Sequence, residues 1–387
     1  MKSIELFAGA GGLGIGLHRA GFHPVRVVER DAWCCDTIRA NQTRAGSVVA
    51  DWTLEQGDVR AVDFREYEGQ VDLISGGPPC QPFSMGGKHK AYDDARDMFP
   101  QAIRAVREAR PRAFVFENVK GLTRAGFQNY FAYIQLQMRH PDVVARADED
   151  WTDHLARLEQ HHTSGSSEGL NYHVVTRLLN AANHGVPQRR ERVIFVGFRS
   201  DFAEEWHFPK EVHSAEALIW DQYGDGSYWD RHRVARADRP QNPALTARAA
   251  RMDERPVGLA WKTVRDAISD LPDPDHQADR ARQIANHRFQ SGARSYAGHT
   301  GSPLDEPAKT LKAGVHGVPG GENMLRKPSG EVRYFTVRES ARLQTFPDDY
   351  VFQGSWSETM RQLGNAVPVR LAEIVGRDVE RALRFAA

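Results

Sequence analysis

The chain has 387 residues, 40% hydrophobic and 26% charged, which is enough for about two domains whose cores need no disulfides. Lys plus Arg and Asp plus Glu number 51 each, and this balance neither favours nor excludes a polyanionic partner. No apolar stretch approaches the roughly 18 residues of a membrane span, and the chain opens on a strand pattern, so we expect no membrane segment, no signal peptide and a cytoplasmic location.

Over about the first 135 residues, short apolar runs alternate with helical stretches, which is the pattern of an α/β unit with a mostly parallel sheet. Asp31 is positioned to cap the second helix. Two more apolar runs follow residue 170. The predicted strands are residues 4–7, 25–28, 71–75, 113–116, 172–179 and 193–198.

The remaining segments differ in character. Residues 140–169 are polar and acidic and predict a loop or a protruding helix pair. Residues 200–330 are rich in Pro, Gly, Asp and Arg and predict a second, loop-rich domain, in which residues 231–294 carry thirteen Lys/Arg against eight Asp/Glu. A capping box at Thr336 and apolar periodicity after Pro368 predict that α/β character returns at the end of the chain.

A glycine-rich turn follows the first predicted strand and opens the first helix. It reads Gly9-Ala10-Gly11-Gly12-Leu13-Gly14, which fits GxGxxG and lets the backbone approach a ligand at a helix N-terminus. Glu29 ends the second strand, where a nucleoside ribose needs a hydroxyl acceptor, and Asp58 is a candidate partner for an adenine amino group. These features favour a cofactor that contains adenosine, although a tight turn without a ligand gives the same glycine pattern.

The strongest local signal is Gly76-Gly77-Pro78-Pro79-Cys80-Gln81-Pro82-Phe83-Ser84, directly after a predicted strand. Two prolines fix the backbone ahead of one cysteine at the carboxyl end of a parallel strand, where open α/β sheets place their ligands. Cys80 is therefore a candidate nucleophile, and a buried inert thiol is the competing interpretation. Because the other cysteines, Cys34 and Cys35, are adjacent, no CxxC spacing exists and we expect no metal.

Two further polar groups extend the candidate site. Glu117 ends the next predicted strand, where partial burial favours a carboxyl that holds or donates a proton near neutral pH; a strand-end acid bonded to backbone is the alternative. In the run Gln188-Arg189-Arg190-Glu191-Arg192, alternation along a strand puts Gln188, Arg190 and Arg192 on one face. This face predicts phosphate or carboxylate binding, and a solvated edge strand is the competing interpretation.

Taken together, six motifs in this order resemble the DNA (cytosine-5) methyltransferases. The resemblance covers residues 3 to about 198 and 333 to 384, and the gap between them matches the variable target-recognition domain of that family. The motifs are Phe7-Ala8-Gly9-Ala10-Gly11-Gly12, Pro78-Pro79-Cys80-Gln81, Glu117-Asn118-Val119, Gln188-Arg189-Arg190-Glu191-Arg192, Arg342-Leu343-Gln344-Thr345-Phe346-Pro347 and Gly364-Asn365-Ala366-Val367-Pro368.

The resemblance implies an α/β, Rossmann-like fold that uses S-adenosylmethionine, with a smaller, loop-rich target-recognition domain. It implies a catalytic and cofactor-binding domain over residues 1–200, a target-recognition domain over 201–332 and a return to the catalytic domain over 333–387. The implied partner is double-stranded DNA, and a cognate restriction endonuclease of the same system is a further candidate; neither a membrane nor a metal is expected.

The resemblance also implies individual roles. Cys80 would attack carbon 6 of a flipped-out cytosine, because carbon 5 alone is too weak a nucleophile to take a methyl group. Glu117 near N3 would offset the developing charge, and Arg192, supported by Arg190, would contact O2 and nearby backbone. The implied cofactor-binding residues are Phe7, Gly9, Ala10, Gly11, Gly12, Glu29, Arg30, Asp58, Val59, Pro78, Asn365 and Ala366.

Three alternatives stay open at this point. A nicotinamide-dependent oxidoreductase explains the glycine turn and Glu29 but leaves Cys80 and Glu117 without a joint purpose. A tRNA cytosine-5 methyltransferase keeps the fold, although the Cys-Phe-Thr tripeptide of such relatives is absent from the sequence. A non-enzymatic DNA-binding regulator requires a disabled site, whereas the cysteine, the glutamate and the glycine turn are intact. The segment 140–169 is longer and more acidic than a minimal family member needs.

Overall fold

The computed structural model describes residues 1–79, 97–165, 169–202, 205–313 and 323–385. Its strands are β1 (Lys2–Leu6), β2 (His23–Glu29), β3 (Leu54–Gln56), β4 (Leu73–Gly76), β5 (Ala113–Val119), β6 (Tyr172–Asn180), β7 (Glu191–Arg199), β8 (His213–Ser214), β9 (Leu259–Ala260), β10 (Ser302–Pro303), β11 (Met324–Arg326) and β12 (Val332–Tyr334). Its α-helices are α1 (Gly12–Arg19), α2 (Ala32–Gln42), α3 (Phe99–Ala109), α4 (Gln128–Arg139), α5 (Trp151–Thr163), α6 (Ala215–Ile219), α7 (Ser227–Arg231), α8 (Pro243–Ala249), α9 (Val264–Ile268), α10 (Ala278–Arg282), α11 (Val337–Leu343), α12 (Trp356–Asn365) and α13 (Val369–Phe385). None of the helices in these ranges has both the length and the apolar composition needed to cross a membrane.

The chain divides into two compact units. The first comprises Met1–Leu179, Glu191–Pro209 and Asp349–Ala387, and the second comprises Asn180–Arg190 and Lys210–Asp348. The sequence placed the corresponding limits at residues 200/201 and 332/333. The second unit ends later than expected because helix α11 and the strand before it bury Phe335 and Leu343 in a core of that unit.

A seven-stranded sheet forms the centre of the first unit, in the order β3-β2-β1-β4-β5-β7-β6. Strands β3, β2, β1, β4 and β5 pair in parallel, and their apolar runs bury side chains such as Ile4 and Phe114 completely. Strand β7 runs antiparallel to β5, and Val119 pairs with Arg192. The start of β7 therefore lies at the same sheet edge as the carboxyl ends of the parallel strands. The predicted α/β fold is confirmed.

The C-terminal helix α13 packs against α1, the helix that the glycine turn opens. Gly11 precedes α1 with a φ of 88°, in the left-handed region that favours glycine. At Gly16, a β-carbon would lie 2.4 Å from the β-carbon of Ala372 and 2.5 Å from the carbonyl oxygen of Val369, so the close approach of the two helices requires glycine. This packing makes the end of the chain part of the first unit.

The polar segment 140–169 contains helix α5 in its described part. Asp150 caps this helix, because its carboxylate accepts hydrogen bonds from the backbone N–H groups of Thr152 and Asp153. Leu158 and His154 are buried, and Leu158 belongs to the same apolar core as helices α3 and α4. The expectation of a loop or protruding helix pair was therefore wrong, because apolar side chains on one face of α5 anchor it to the core.

The second unit is built from short elements. Strands β8 and β9 form one small sheet and β10, β11 and β12 another. The capping box predicted at Thr336 is confirmed: its side chain accepts from the N–H of Glu339, whose carboxylate accepts from the N–H of Thr336 at 2.8 Å. Several arginines of the predicted basic stretch pair with acids of the same unit. These pairs are Arg231–Asp266, Arg239–Asp230, Arg248–Glu216, Arg255–Asp221 and Arg265–Asp305.

Candidate active site

A cavity of about 770 Å³ opens at the carboxyl edge of the sheet in the first unit. This volume falls within the roughly 300–1,000 Å³ usual for small-molecule sites. The turn after β1, the end of β2, the residues after β4, the end of β5, the start of β7 and the end of α12 all contribute to its wall. The lining residues that the sequence singled out are Phe7, Gly9, Gly12, Glu29, Arg30, Asp58, Val59, Pro78, Glu117, Arg192, Asn365 and Ala366.

Glu29 is held at the cavity wall by two backbone groups. Its Oε2 accepts from the N–H of Gly9 and its Oε1 from the N–H of Asp31, both at 2.7 Å. Each carboxylate oxygen keeps a further lone pair for a ligand hydroxyl. Gly9 has a φ of 56°, and no atom lies within 4 Å of the place its β-carbon would take. A ligand can therefore lie directly against this turn.

Asp58 supplies a second carboxylate to the cavity. It accepts from the backbone N–H and the Nε of Arg60, at 3.0 Å and 2.9 Å, and the side-chain hydrogen bond from Arg60 holds the pKa of Asp58 well below its usual range. Nη1 of Arg30 lies 3.6 Å from Oδ2 of Asp58, and the Arg30 side chain is 77% exposed. Asp58 is thus an ionised acceptor paired with the exposed guanidinium of Arg30.

Glu117 and Arg192 form a buried ion pair across the β5–β7 edge, with Nε and Oε1 2.7 Å apart and side chains 11% (Arg192) and 9% (Glu117) exposed. Burial lowers the pKa of Arg192, and the charge of Glu117 opposes that shift. A β-carbon at Gly77 would lie 3.2 Å from Oε2 of Glu117, and Nδ2 of Asn118 donates to the carbonyl of Pro78 at 3.0 Å. The ends of β4 and β5 are therefore fixed against each other beside the ion pair.

Cys80 lies outside the described residues. The residue before it, Pro79, lines the cavity, as does Met98. The backbone N–H of Met98 donates to the carbonyl oxygen of Pro79 at 3.0 Å. The chain thus leaves and re-enters the described structure at one place on the cavity wall.

Three predicted site residues that the structure describes do not line the cavity. Two of them, Ala10 and Gly11, shape the turn: the Ala10 carbonyl accepts from the hydroxyl of Tyr350 at 2.8 Å, and the Gly11 N–H donates to the carbonyl of Ala8 at 2.9 Å. The third, Arg190, is fully buried in the second unit. Ala10 and Gly11 are set back from the cavity because the turn presents Gly9 and Gly12 to it.

The prediction that Gln188, Arg190 and Arg192 share one face is wrong. Gln188 is fully buried, and its amide group donates to the carbonyl of Leu343 and accepts from the N–H of Leu311. Nη1 of Arg190 donates to the carbonyl of Leu311 at 3.1 Å. Strand β7 begins only at residue 191, so strand alternation does not apply before it, and of the three residues Arg192 alone reaches the cavity.

The sequence analysis missed several ionisable residues of the cavity, among them Glu5, Cys34 and Arg361. Glu5 is buried within β1, and burial raises its pKa to about 8 despite a hydrogen bond from Ser75. Burial also raises the pKa of the Cys34 thiol, which makes Cys34 a poor nucleophile. Arg361 donates to Asp31 at 2.9 Å. An acid inside an apolar strand was the available signal for Glu5, whereas the other two reach the cavity through helix packing that sequence spacing does not reveal.

Among the residues that the structure describes, one cluster of metal-ligand residue types lies outside the cavity. It consists of His18, His23 and Asp51, whose ligand atoms lie within 4.8 Å of one another. The indole N–H of Trp52 donates to Nδ1 of His18 at 3.0 Å, so neutral His18 carries its proton on Nε2 and both nitrogens are engaged or protonated. This tautomer is unsuited to binding a metal.

Comparison with known proteins identifies the family. The family model described as C-5 cytosine-specific DNA methylase matches residues 1–141 and 157–381. The chain is 32% identical to the Type II methyltransferase M.PspPI of Psychrobacter sp., over 99% of this chain and 80% of that protein, and 31% identical to M.NgoMIV of Neisseria gonorrhoeae, over 99% and 98%. The structure of the Schizosaccharomyces pombe Dnmt2 methyltransferase has the same fold, with a TM-score of 0.56 at 18% identity, covering 99% and 98% of the two chains.

These findings agree with the resemblance drawn from the six motifs and not with an oxidoreductase or a tRNA methyltransferase. The match spans both units and includes the glycine turn, the strand ends and the C-terminal helices around the cavity. The chain therefore belongs to the C-5 cytosine-specific DNA methylases and is a DNA cytosine-5-methyltransferase that uses S-adenosylmethionine.

Proposed function

We propose that Cys80 is the nucleophile of this methyltransferase and that Glu117 and Arg192 receive the target cytosine beside it. The observation that carries the proposal is the meeting, in one cavity, of the Glu117–Arg192 ion pair with Pro79, the residue directly before Cys80. The turn that holds Glu29 contributes to the wall of the same cavity. One cavity thus offers both a place for a base and a place for the methyl donor.

The chemistry assigns each group a task. The Cys80 thiolate forms a bond from Sγ to carbon 6 of the flipped-out cytosine, which moves electron density onto carbon 5 and N3. Glu117 donates a proton to N3 as negative charge develops there and takes it back when the sulfur leaves, and Arg192 holds Glu117 while facing the exocyclic oxygen O2 of the cytosine. After carbon 5 has taken the methyl group, loss of its proton to a base and of the Cys80 sulfur restores the aromatic ring. Arg190 donates a hydrogen bond to the backbone carbonyl of Leu311, so we assign it a structural role and no contact with the base.

The residues around the glycine turn fit S-adenosylmethionine, which supplies an electrophilic methyl group when bound. Glu29 offers acceptors for ribose hydroxyls, and Asp58, with Val59 beside it, offers an acceptor for the adenine amino group. We assign Arg30 to the adenine, and Asn365 with Ala366 bounds the same cavity from the end of α12. The further groups assigned to the donor are Phe7, Gly9, Gly12 and Pro78, which line the cavity, and Ala10 and Gly11, which shape the turn.

We assign recognition of the DNA sequence to the second unit. Its short elements and exposed arginines, such as Arg251 and Arg288, provide groups for phosphate and base-edge contacts. Because the relatives M.PspPI and M.NgoMIV are named Type II methyltransferases, we assign the protein to a restriction-modification system with a cognate endonuclease. Action on bacterial DNA gives the cytoplasm as its location.

The test is the substitution Cys80→Ala. We expect it to reduce methyl transfer to cytosine below detection while the dissociation constant for S-adenosylmethionine changes less than about twofold, because the thiol serves the base and not the donor. Cys35→Ala is the matched control, since Cys35 is fully buried and does not line the cavity. Substantial turnover by the Cys80→Ala variant would contradict the assignment.

A further inference from the structure

A buried hydrogen bond joins helix α4 to the chain next to the candidate nucleophile. Tyr130, 5% exposed, donates its hydroxyl to Oδ2 of Asp97, which is 9% exposed. Oδ1 of Asp97 accepts from the N–H of Phe99 at 3.2 Å, where α3 begins. The intervening residue, Met98, donates its N–H to the carbonyl of Pro79 at 3.0 Å. A continuous path of bonds therefore runs from α4 to the residue that precedes the nucleophile.

Helix α5 supports Tyr130 through an aromatic cluster. Trp151, the first residue of α5, meets the ring of Tyr130 edge-on at a centroid distance of 6.3 Å and lies 5.9 Å from the ring of Tyr133. The hydroxyl of Tyr133 donates to Nδ1 of His154 at 2.8 Å, and Nε2 of His154 donates to the carbonyl of Val143 at 2.8 Å. Burial lowers the pKa of His154, in keeping with a neutral ring that accepts at one nitrogen and donates at the other.

The residues that contact Tyr130 and Tyr133 from helix α5 lie in a segment that the family model does not match. The family match stops at residue 141 and resumes at residue 157, so Val143, Trp151 and His154 all fall in the interruption. A segment that did not pack against the rest of the protein would expose its polar side chains to solvent, whereas His154 is only 1% exposed. Residues 142–156, called the insert below, therefore pack into the structure that carries Asp97.

We propose that Asp97 and Tyr130, backed by Trp151 of the insert, are positioning residues for the Cys80 thiol. The proposal rests on the proposed function, in which Cys80 attacks the base. Attack requires the reacting atoms to be held about 3–3.5 Å apart, and a shift of about 1 Å costs up to 10²-fold in rate. Loss of the Tyr130 hydroxyl removes one buried hydrogen bond from Asp97 and weakens the Pro79–Met98 junction, so we expect it to slow bond formation by sulfur while leaving the donor site intact.

The test compares two tyrosine hydroxyl deletions. Tyr130→Phe removes the bond to Asp97, and Tyr172→Phe is the matched control because Tyr172 is buried in the same core and donates to the carbonyl of Pro111 at 2.7 Å. The measurement is the single-turnover rate of covalent adduct formation on duplex DNA with 5-fluorocytosine in place of every cytosine, at saturating S-adenosylmethionine. We expect Tyr130→Phe to be slower by about tenfold, or about 1.4 kcal/mol, with unchanged donor affinity.

Equal adduct rates in Tyr130→Phe and the control would overturn the positioning role. No adduct in the unsubstituted enzyme would instead refute the assignment of Cys80, so the two failures are distinguishable. Asp97→Asn and Asp97→Ala provide a second comparison that does not depend on the tyrosines. The asparagine keeps one oxygen to accept from the N–H of Phe99 and can donate its amide N–H to the hydroxyl oxygen of Tyr130, so it should react at close to the normal rate, whereas the alanine should be slow; equal rates would contradict the proposal.

The contribution of the insert is tested by Trp151→Leu. We expect this variant to form the adduct about threefold more slowly, because the Tyr130 ring loses its neighbour. If Trp151 acts through Tyr130, the double variant with Tyr130→Phe should be no slower than Tyr130→Phe alone. Additive slowing would show that the insert acts by another route and would remove Trp151 from the proposal.

Discussion

In the first unit, polar side chains from several strands meet at one sheet edge and line a cavity, whereas in the second unit several arginines pair with acids of the same unit. Glu29, Glu117 and Arg192 come from three different strands and line one cavity because parallel strands end together and β7 starts there. In the second unit, pairs such as Arg255–Asp221 and Arg265–Asp305 join short segments. The chemistry of the first unit thus depends on sheet topology, while the surface of the second can vary without changing that topology.

The largest expected effect comes from exchanging the second unit. Residues 180–190 and 210–348 would be replaced by the matching segments of M.NgoMIV, which aligns over almost its full length. We expect methylation at the original target sequence to fall by at least about 10³-fold. The target sequence of M.NgoMIV should be methylated instead, because contacts to the bases determine specificity. Bisulfite sequencing of DNA from cells that express the chimera identifies the methylated sequence. An unchanged target sequence would contradict the assignment of DNA recognition to the second unit.

Glu117→Gln tests the sheet-edge chemistry of the first unit. We expect kcat to fall by about 10²–10³-fold, because the amide cannot transfer a proton to N3 and leaves Arg192 without its counter-charge. The affinity for S-adenosylmethionine should stay within about twofold. Glu191→Gln is the matched control, since that carboxylate is exposed and pairs with Lys120. A Glu117→Gln enzyme with more than a tenth of normal kcat would contradict the role of Glu117.

The sequence was informative where chemistry coincides with strand ends. The turn at Gly9, the acid Glu29 and the strand-end Glu117 were predicted from position alone, and the cavity contains all three. Arg190 was misjudged because alternation was extended past the start of β7. The limits of the second unit were also displaced, since Phe335 and Leu343 pack with residues far away in the sequence. Periodicity reports which face of an element is apolar but not which other element covers it.

Glu29→Gln should affect the donor and spare the chemical step. An amide keeps one acceptor oxygen but turns the other position into a donor that faces the N–H of Gly9 or Asp31. We expect the dissociation constant for S-adenosylmethionine to rise at least about tenfold, or about 1.4 kcal/mol, with kcat at saturation reduced less than about threefold. Calorimetric titration measures the affinity, and Glu55→Gln on the neighbouring strand is the control. Equal affinities in the two variants would remove Glu29 from the donor site.

Glu5→Gln addresses the stability of the first unit. Burial raises the pKa of Glu5 from 4.5 to about 8. Between pH 4.5 and pH 8, Glu5 is therefore protonated in the folded state and ionised in the unfolded state. The free energy of unfolding should therefore fall as pH rises from 4.5 to 8, by up to about 1.4 kcal/mol per pH unit from this group. Glutamine cannot titrate, so urea unfolding of the variant should show a shallower fall than wild type or the exposed control Glu68→Gln. Identical slopes would contradict the burial of a protonated Glu5.

The central claim is that the sulfur of Cys80 bonds to the base. The most direct measurement is peptide mass spectrometry of the enzyme after reaction with S-adenosylmethionine and duplex DNA containing 5-fluorocytosine, which blocks loss of the carbon-5 substituent. We predict one modified peptide, carrying the methylated fluorocytosine nucleotide on Cys80. A modification on Cys34, which lines the cavity, or no modification at all, would contradict the account.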